Sequence, residues 1–323
     1  MQRRQLIQAG LALPLASSFP SLVRADNFPS KPIRLVVTQG PGSGSDISGR
    51  LIAAKLGDLL KHNVYVENKV GASGIIGHDY VKSAPADGYT LLFSSTAPLV
   101  LLPAMNRNAK FGPADFTMVA PVLRAPYMVV TSYQAGAPTT LAELVSQLKA
   151  KQSSFSSAGA GTMTQLVSEM LLQQVGVQAT HVPYKGSGQS LNDLVSGIVM
   201  FSSDSSTAAS PLVKGGRLRA LAVTSPKRMP SFPDVPTMAE LGYPSMTVSI
   251  MGGIYAPLGL PADVLEKLSS QLAIAVASPE VKAQFAAGEV EGLSMGRDEF
   301  QALMLKDAPV WEAQLRKLGI VAQ

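Results

Sequence analysis

The chain has 323 residues, 46% hydrophobic and 15% charged, a length that exceeds one ordinary core and points to two domains. Aromatics make up only 6%, with a single tryptophan, Trp311, which argues against a surface that stacks nucleobases. The formal charge of +5 falls to about +2 once Arg3, Arg4 and Arg24 are set aside with an acid-free leader, and no remaining basic run exceeds Lys227-Arg228, which speaks against a nucleic-acid partner.

Residues 1–25 read as a signal peptide, with a basic start, an apolar middle and Val23 and Ala25 before a cut after Ala25. Arg3-Arg4 followed by Gln5-Leu6 fits a twin-arginine signal and equally an ordinary Sec leader that opens on two arginines. Gln8, Pro14 and Ser17-Ser18 interrupt the apolar stretch, leaving it too short for a retained membrane anchor. Cysteine is absent, which excludes a lipid-anchor cysteine and suits a core large enough to do without disulfides. The expected location is periplasmic.

From there strands and helices alternate, which predicts an α/β fold with largely parallel sheets. The run 33–37 reads as a buried strand, followed by a glycine-rich loop and a helix whose stripe is Ile52, Leu56, Leu59 and Leu60. A strand at 64–66, a turn region at 71–77, a further helix and a strand at 89–93 come next. The middle repeats this grammar: a strand at 127–131, a helix at 141–150 and a strand at 154–157. A helix then opens on a capping box of Thr162 and Gln165. Strands at 181–184, 198–201 and 219–224 follow, then a proline-rich passage at 230–244, a strand at 247–255 and three amphipathic helices. Two crossings, near 125–130 and 247–255, divide the chain into one expected lobe of 26–125 with 246–323 and another of 126–245.

One local design recurs: buried strand, small-residue loop, helix start. Ligands in open α/β sheets collect at the carboxyl ends of strands, where the next helix offers free N–H groups to an anion. The design occurs at 40–46, 94–96, 158–164, 185–190 and 202–206, two before the first crossing and three after it. The loop 40–46 lacks the Gly-Lys-Ser/Thr ending of a phosphate loop, and no cofactor is implied. Asp46 reads either as a helix N-cap or as a receiver of a ligand ammonium or hydroxyl.

The chain resembles the Bug family of periplasmic solute receptors, the TctC-like binding component of tripartite tricarboxylate transporters. The marks are Pro29 to Arg34 leading into the first strand, Gly40 to Asp46, Val66-Glu67-Asn68-Lys69 with Gly71 and Gly74, and Ala86-Asp87-Gly88-Tyr89-Thr90. Val182 to Ser187, Leu218 to Val223 and Pro233-Asp234-Val235-Pro236-Thr237 complete the set. The resemblance implies a two-lobed periplasmic-binding-protein (Venus flytrap) fold with two hinge crossings that grips a ligand carboxylate through main-chain amides and ordered water. Carried over by position, it nominates Gly40, Pro41, Gly42, Ser43, Gly44, Ser45 and Asp46 on the first side. Ser94, Ser95 and Thr96 belong to that same side, and on the facing side it nominates Ala158, Gly159, Ala160, Gly161, Thr162, Thr164 and Asp204. Two positions depart from the family pattern. Ser43 interrupts its adjacent glycines, and Met251 stands where an aromatic residue is frequent.

The implied partners are a small carboxylate and either membrane transporter subunits or a sensor kinase, with a monomer suiting the shuttle role. A periplasmic hydrolase is the rival from another class. A nucleophilic triad needs a histidine between serine and carboxylate; His78 and His181 read as structural, and His62, at a helix end, as solvent-facing or a dipole partner. No Gly-x-Ser-x-Gly elbow or metal-ligand spacing occurs in a suitable setting.

Overall fold

The computed structural model describes residues 28–318, so the leader expected at 1–25 lies outside the described residues. Strand β1 (Ile33–Val37) is apolar and buried except at the partly buried Arg34, as suits a central parallel strand. Its parallel neighbours are β2 (Val64–Asn68) and β3 (Thr90–Ser95). Helix α1 (Gly44–Leu60) follows β1 and ends where Lys61 turns left-handed at φ 56°. Helices α2 (Ile75–Lys82) and α3 (Thr96–Met105) complete this part. The sequence reading had no helix at 96–105. Its run of apolar residues carries no 3.6-residue stripe, and Pro98 and Pro103 argue against a helix, yet Pro98 falls in the first turn, where its missing N–H is harmless.

The long strand β4 (Phe116–Ser132) joins the two halves. It pairs antiparallel with β9 (Ser249–Pro257) from Phe116 to Pro126, then with β7 (Phe201–Ser205) and β8 (Leu218–Val223) from Tyr127 onward. The sequence suggested a strand only from 127, because Pro121 and Pro126 break the pattern. Register shifts between Met118 and Ala120 and between Pro121 and Leu123 let the strand carry proline.

Beyond β4 lie α4 (Leu141–Ala150), β5 (Ser154–Ser157), α5 (Met163–Val175), β6 (Thr180–Pro183), α6 (Ser187–Val195) and α7 (Ser206–Lys214). Strand β5 runs parallel to both β6 and β7. After β9 the chain forms α8 (Ala262–Ala277), α9 (Pro279–Ala287), the short β10 (Glu291–Gly292) and α10 (Arg297–Lys317). The strand order is β2-β1-β3-β9-β4-β7-β5-β6, with β8 and β10 also laid against β4. Chain order and space order thus differ: β9 returns from the far end to sit between β3 and β4.

Alternate side chains of β1 feed opposite cores. Ile33, Leu35 and Val37 pack with Ile52, Leu56 and Leu268, whereas Val36 joins the cluster of Leu99, Leu102 and Tyr255. A third cluster of Met128, Val130, Leu191, Leu194 and Leu218 holds the β7–β8 part. Among the described residues no helix is long and apolar enough to cross a membrane.

Candidate functional site

The carboxyl ends of β1, β3, β5 and β7 converge on one narrow cleft, lined by the first turns of five helices. Gly44 and Ser45 come from α1, Ser95 and Pro98 from the start of α3, and Thr162, Met163 and Thr164 from the start of α5. Ser187 opens α6, and Ser205 and Thr207 flank the start of α7. The first four N–H groups of a helix lack intrahelical partners and its dipole favours negative charge there. No Lys or Arg lines the cleft, so backbone amides and hydroxyls supply its positive character. Phe93, Leu123, Ile250 and Gly252 give it an apolar floor. The space inside is about 30 Å³, room for about two waters.

The two sides meet through glycine. Gly40 N–H donates to Lys185 O at 3.1 Å, a Cβ at Gly188 would stand 2.7 Å from Pro41 O, and one at Gly44 would stand 2.5 Å from Ser205 Oγ. Side chains at Gly44 and Gly188 would hold the loops apart.

Two buried aspartates flank this seam. Ser43, not Asp46, caps α1: its hydroxyl accepts from Asp46 N–H at 3.2 Å. The Asp46 carboxylate reaches back to accept from Gly42 N–H at 3.0 Å, and also from Asn68 Nδ2 at 2.8 Å and Arg50 at 2.9 Å. Burial pushes this carboxyl up, but the hydrogen bonds from Arg50, Asn68 and Gly42 outweigh it and hold the group below the usual range. Asp204 differs. Its Oδ1 accepts from Ser187 Oγ at 2.7 Å and Ser205 N–H at 2.7 Å, while Oδ2 is buried without a partner. Burial pushes it up to about 6 against those bonds. The Tyr127 hydroxyl, also in the cleft and buried, has no partner either, and burial and the nearby Asp204 charge raise its pKa well above the ordinary value.

Of the nominated residues, Gly44, Ser45, Ser95, Thr162, Thr164 and Asp204 line the cleft. Gly40, Pro41 and Gly42 pack against Lys185 and Gly188 instead of lining it, and Ser43 and Asp46 brace the loop. Ser94 is turned away into the core, 3.0 Å from His78 Nε2. The Gly74 carbonyl only accepts, so His78 Nδ1 carries the proton and Nε2 accepts from Ser94. Thr96 lines a neighbouring cavity instead. Ala158, Gly159, Ala160 and Gly161 shape the turn below: Ala158 N–H donates to Thr164 Oγ1 and Gly159 is left-handed at φ 145°. The expected capping box is not formed. Gln165 Oε1 accepts from Gly161 N–H, and Thr162 Oγ1 donates to Gly159 O at 2.7 Å. Tyr127, Ser187, Thr207 and the apolar floor were not foreseen, although Ser187 sits in one of the five recurring loops and Thr207 directly follows another.

None of the three histidines lines the cleft. His181 Nε2 lies 2.6 Å from Ser157 Oγ, but that serine is fully buried and its hydroxyl lies 3.0 Å from Gly159 O as a donor. The pair lies away from the cleft, and no carboxylate among the described residues bonds to His181, so serine, histidine and acid do not form a nucleophilic triad. Burial holds His181 down at about 4, keeping it neutral. Among the described residues no group of His, Cys, Asp or Glu is placed to hold a metal ion.

The profile of the TctC receptors of the tripartite tricarboxylate transporter family matches residues 49–320. The UPF0065 protein in the tcbD-tcbE intergenic region of Pseudomonas sp. (strain P51) is 37% identical over 284 residues, 86% of this chain and 83% of that one. The periplasmic binding protein BugD superposes with a TM-score of 0.88 at 31% identity, covering 92% of this chain and 100% of its own. An adipate-bound protein of R. palustris gives 0.88 at 28% identity, with 92% and 100% covered. Malate-bound MatC from Rhodopseudomonas palustris gives 0.85 at 26%, with 89% and 100% covered. The architecture is therefore the mixed α/β fold of periplasmic binding proteins, a solute-binding fold without a catalytic constellation in its cleft. With its profile match spanning most of the sequence, the chain belongs to the TctC receptors of the tripartite tricarboxylate transporter family.

Proposed function

We propose that the protein is a periplasmic receptor that closes on a small carboxylate in this cleft and presents it to the membrane subunits of a tripartite transporter. The observation that carries the reading is the convergence of five helix N-termini on a cleft without Lys or Arg. Each terminus contributes about 0.3–1 kcal/mol toward an anion when exposed, and more when partly buried. The adipate and malate bound by two structural relatives support a carboxylate.

The lobes in this reading are 26–125 with 246–323 on one side and 126–245 on the other, joined where β4 and β9 cross. The glycine seam lets the loops approach closely enough for both to touch one ligand, and ligand shifts the balance toward closure. The lining residues Gly44, Ser45, Ser95, Thr162, Thr164, Ser187 and Thr207 present donors to the carboxylate. Tyr127 Oη donates to a ligand oxygen, and Asp204 Oδ2 meets one through a shared proton, which its raised pKa supports. The protein acts as a monomer.

A thermal-shift screen of the leaderless protein against small carboxylates tests the reading. A ligand at about 100 times its Kd adds about 2.7 kcal/mol of stability. Saturable shifts confined to carboxylates are expected. Their absence in folded, ligand-stripped protein contradicts the reading. Copurification with transporter subunits, rather than with a sensor kinase, tests the partner.

A further inference from the structure

Helix α9 ends in a way its sequence does not favour. Val290 N–H donates to Phe285 O at 2.8 Å and Glu289 N–H to Ala286 O at 3.0 Å, the two bonds of a Schellman motif. Such a motif turns on a left-handed residue, and glycine is the usual choice there. Here Gly288 lies one residue too early, and Glu289 takes the left-handed position at φ 56°. A glutamate held against its backbone preference points to a partner outside the helix.

The partners lie across the boundary between the two lobes of the receptor reading. Ser231 N–H donates to Glu289 Oε1 at 2.9 Å, and Ser206 Oγ donates to Glu289 O at 3.2 Å. Lys214 Nζ donates to Ala287 O at 2.6 Å, one of the last carbonyls of α9, which lack partners inside the helix. Lys214 also lies 5.5 Å from the ring of Phe232, the neighbour of Ser231. None of these residues lines the cleft.

Helix α7 couples the two places. Its cap, Ser205, faces Gly44 at the glycine seam, while its first and last residues, Ser206 and Lys214, hold the end of α9. A helix moves as one body, so withdrawing Ser205 from the seam also draws Lys214 from α9. The contacts are made with the seam shut and loosen as it opens.

We propose that Glu289 and Lys214 are positioning residues for closure, a polar clasp outside the cleft that stabilises the closed form and so raises ligand affinity. This rests on the receptor reading above and adds to it residues that never touch the ligand. The affinity for a ligand that binds only the closed form scales with the fraction of protein closed. Loosening the clasp therefore weakens binding without altering the site.

The chain has no cysteine, so Asp58→Cys in α1 and Lys151→Cys after α4 give each lobe one attachment point for a spin label. Interlobe distances and calorimetric titration with malate and adipate are measured on the leaderless protein, Glu289→Gly, Glu289→Gln and Lys214→Met. Glu289→Gly supplies the residue the left-handed backbone favours, so it folds at least as stably while losing the carboxylate. It and Lys214→Met are expected to shift the distances toward an open form. Both are expected to bind the acid about tenfold more weakly, through faster dissociation. Glu289→Gln keeps an acceptor for Ser231 N–H and is expected to bind as the unmodified protein does. Distances and affinities of Glu289→Gly and Lys214→Met equal to those of the unmodified protein overturn the clasp and leave the receptor reading intact. If neither acid binds the unmodified protein, the receptor reading fails, and the clasp stands or falls on the interlobe distances alone.

Discussion

Asp46 and Asp204 are both buried acids beside the cleft, one in the first turn of α1 and the other near the end of β7. Asp46 has three partners for its carboxylate and sits below the ordinary carboxylate range. Asp204 has partners for one oxygen only and is pushed up to about 6. The first completes the loop that carries Gly44 and Ser45, and its own chemistry is exhausted by that task. The second keeps an unpartnered oxygen in the cleft, an arrangement that costs free energy in the folded protein unless a guest completes it. A satisfied buried acid marks structure, and a half-satisfied one beside an unpartnered Tyr127 hydroxyl marks a place where a ligand belongs.

The largest expected effect breaks the seam between the two sides. Gly44→Val would set a Cβ 2.5 Å from Ser205 Oγ and prevent closure. Carboxylate affinity is expected to fall at least about a hundredfold, about 2.7 kcal/mol, with unchanged circular dichroism. Gly42→Val is the control. A Cβ there meets only Gly188 Cα at 3.7 Å, but φ is 78°, so it lowers stability by about 1–2 kcal/mol while binding survives.

Next come the aspartates themselves, with opposite signs. Asp204→Asn is expected to stabilise the unliganded protein at pH 7–8 by about 2–3 kcal/mol, read by denaturant unfolding. The Asp204 pKa is raised by folding. The native group therefore contributes stability that is fully present below its unfolded value near 4 and is lost as pH rises through about 6, so the advantage of the variant vanishes in acid. Asp46→Ala is expected to destabilise by about 2–3 kcal/mol at pH 7. Its folded pKa is depressed, so that contribution is present above about 4 and fades as pH falls through the native value. Equal effects of the two substitutions would erase the distinction between them.

A smaller effect sharpens it further. Binding at pH 7–8 takes up a fraction of a proton onto Asp204, measured by calorimetry in buffers of different ionisation enthalpy, and Asp204→Asn abolishes the uptake. Smallest is Tyr127→Phe, which removes an unpartnered hydroxyl. Stability stays within about 1 kcal/mol of the unmodified protein, while affinity falls about tenfold.

Much of this was legible in the sequence because it is local. The largely apolar β1, the stripe of α1 and the five small-residue loops are short-range patterns, and six of the residues nominated within those loops line the cleft. Met163, Ser187 and Ser205 lie in those loops too, whereas the apolar floor and Tyr127 depend on distant chain segments. Leu123 comes from the middle of β4, where Pro121 and Pro126 hid the strand, and Ile250 and Gly252 come from β9, whose return beside β3 is what makes a floor. Tyr127 reads as one more strand residue until Asp204 is placed against its neighbour Met128. Ser94 misled for the opposite reason: it shares a hydroxyl-rich segment with Ser95, but the strand's alternation turns it to His78. Asp46 looked like an N-cap because Asp favours that position. The true cap is Ser43, the residue that interrupts the family's glycines.

The central claim is that helix N-termini on the two sides of a glycine seam close on a small carboxylate. Its most direct test is calorimetric titration of malate and adipate into the leaderless protein and into Gly44→Val. The account predicts saturable binding of at least one acid by the unmodified protein and none by the variant at matched fold. Undiminished binding by Gly44→Val, or no binding by folded, ligand-stripped unmodified protein, would contradict it.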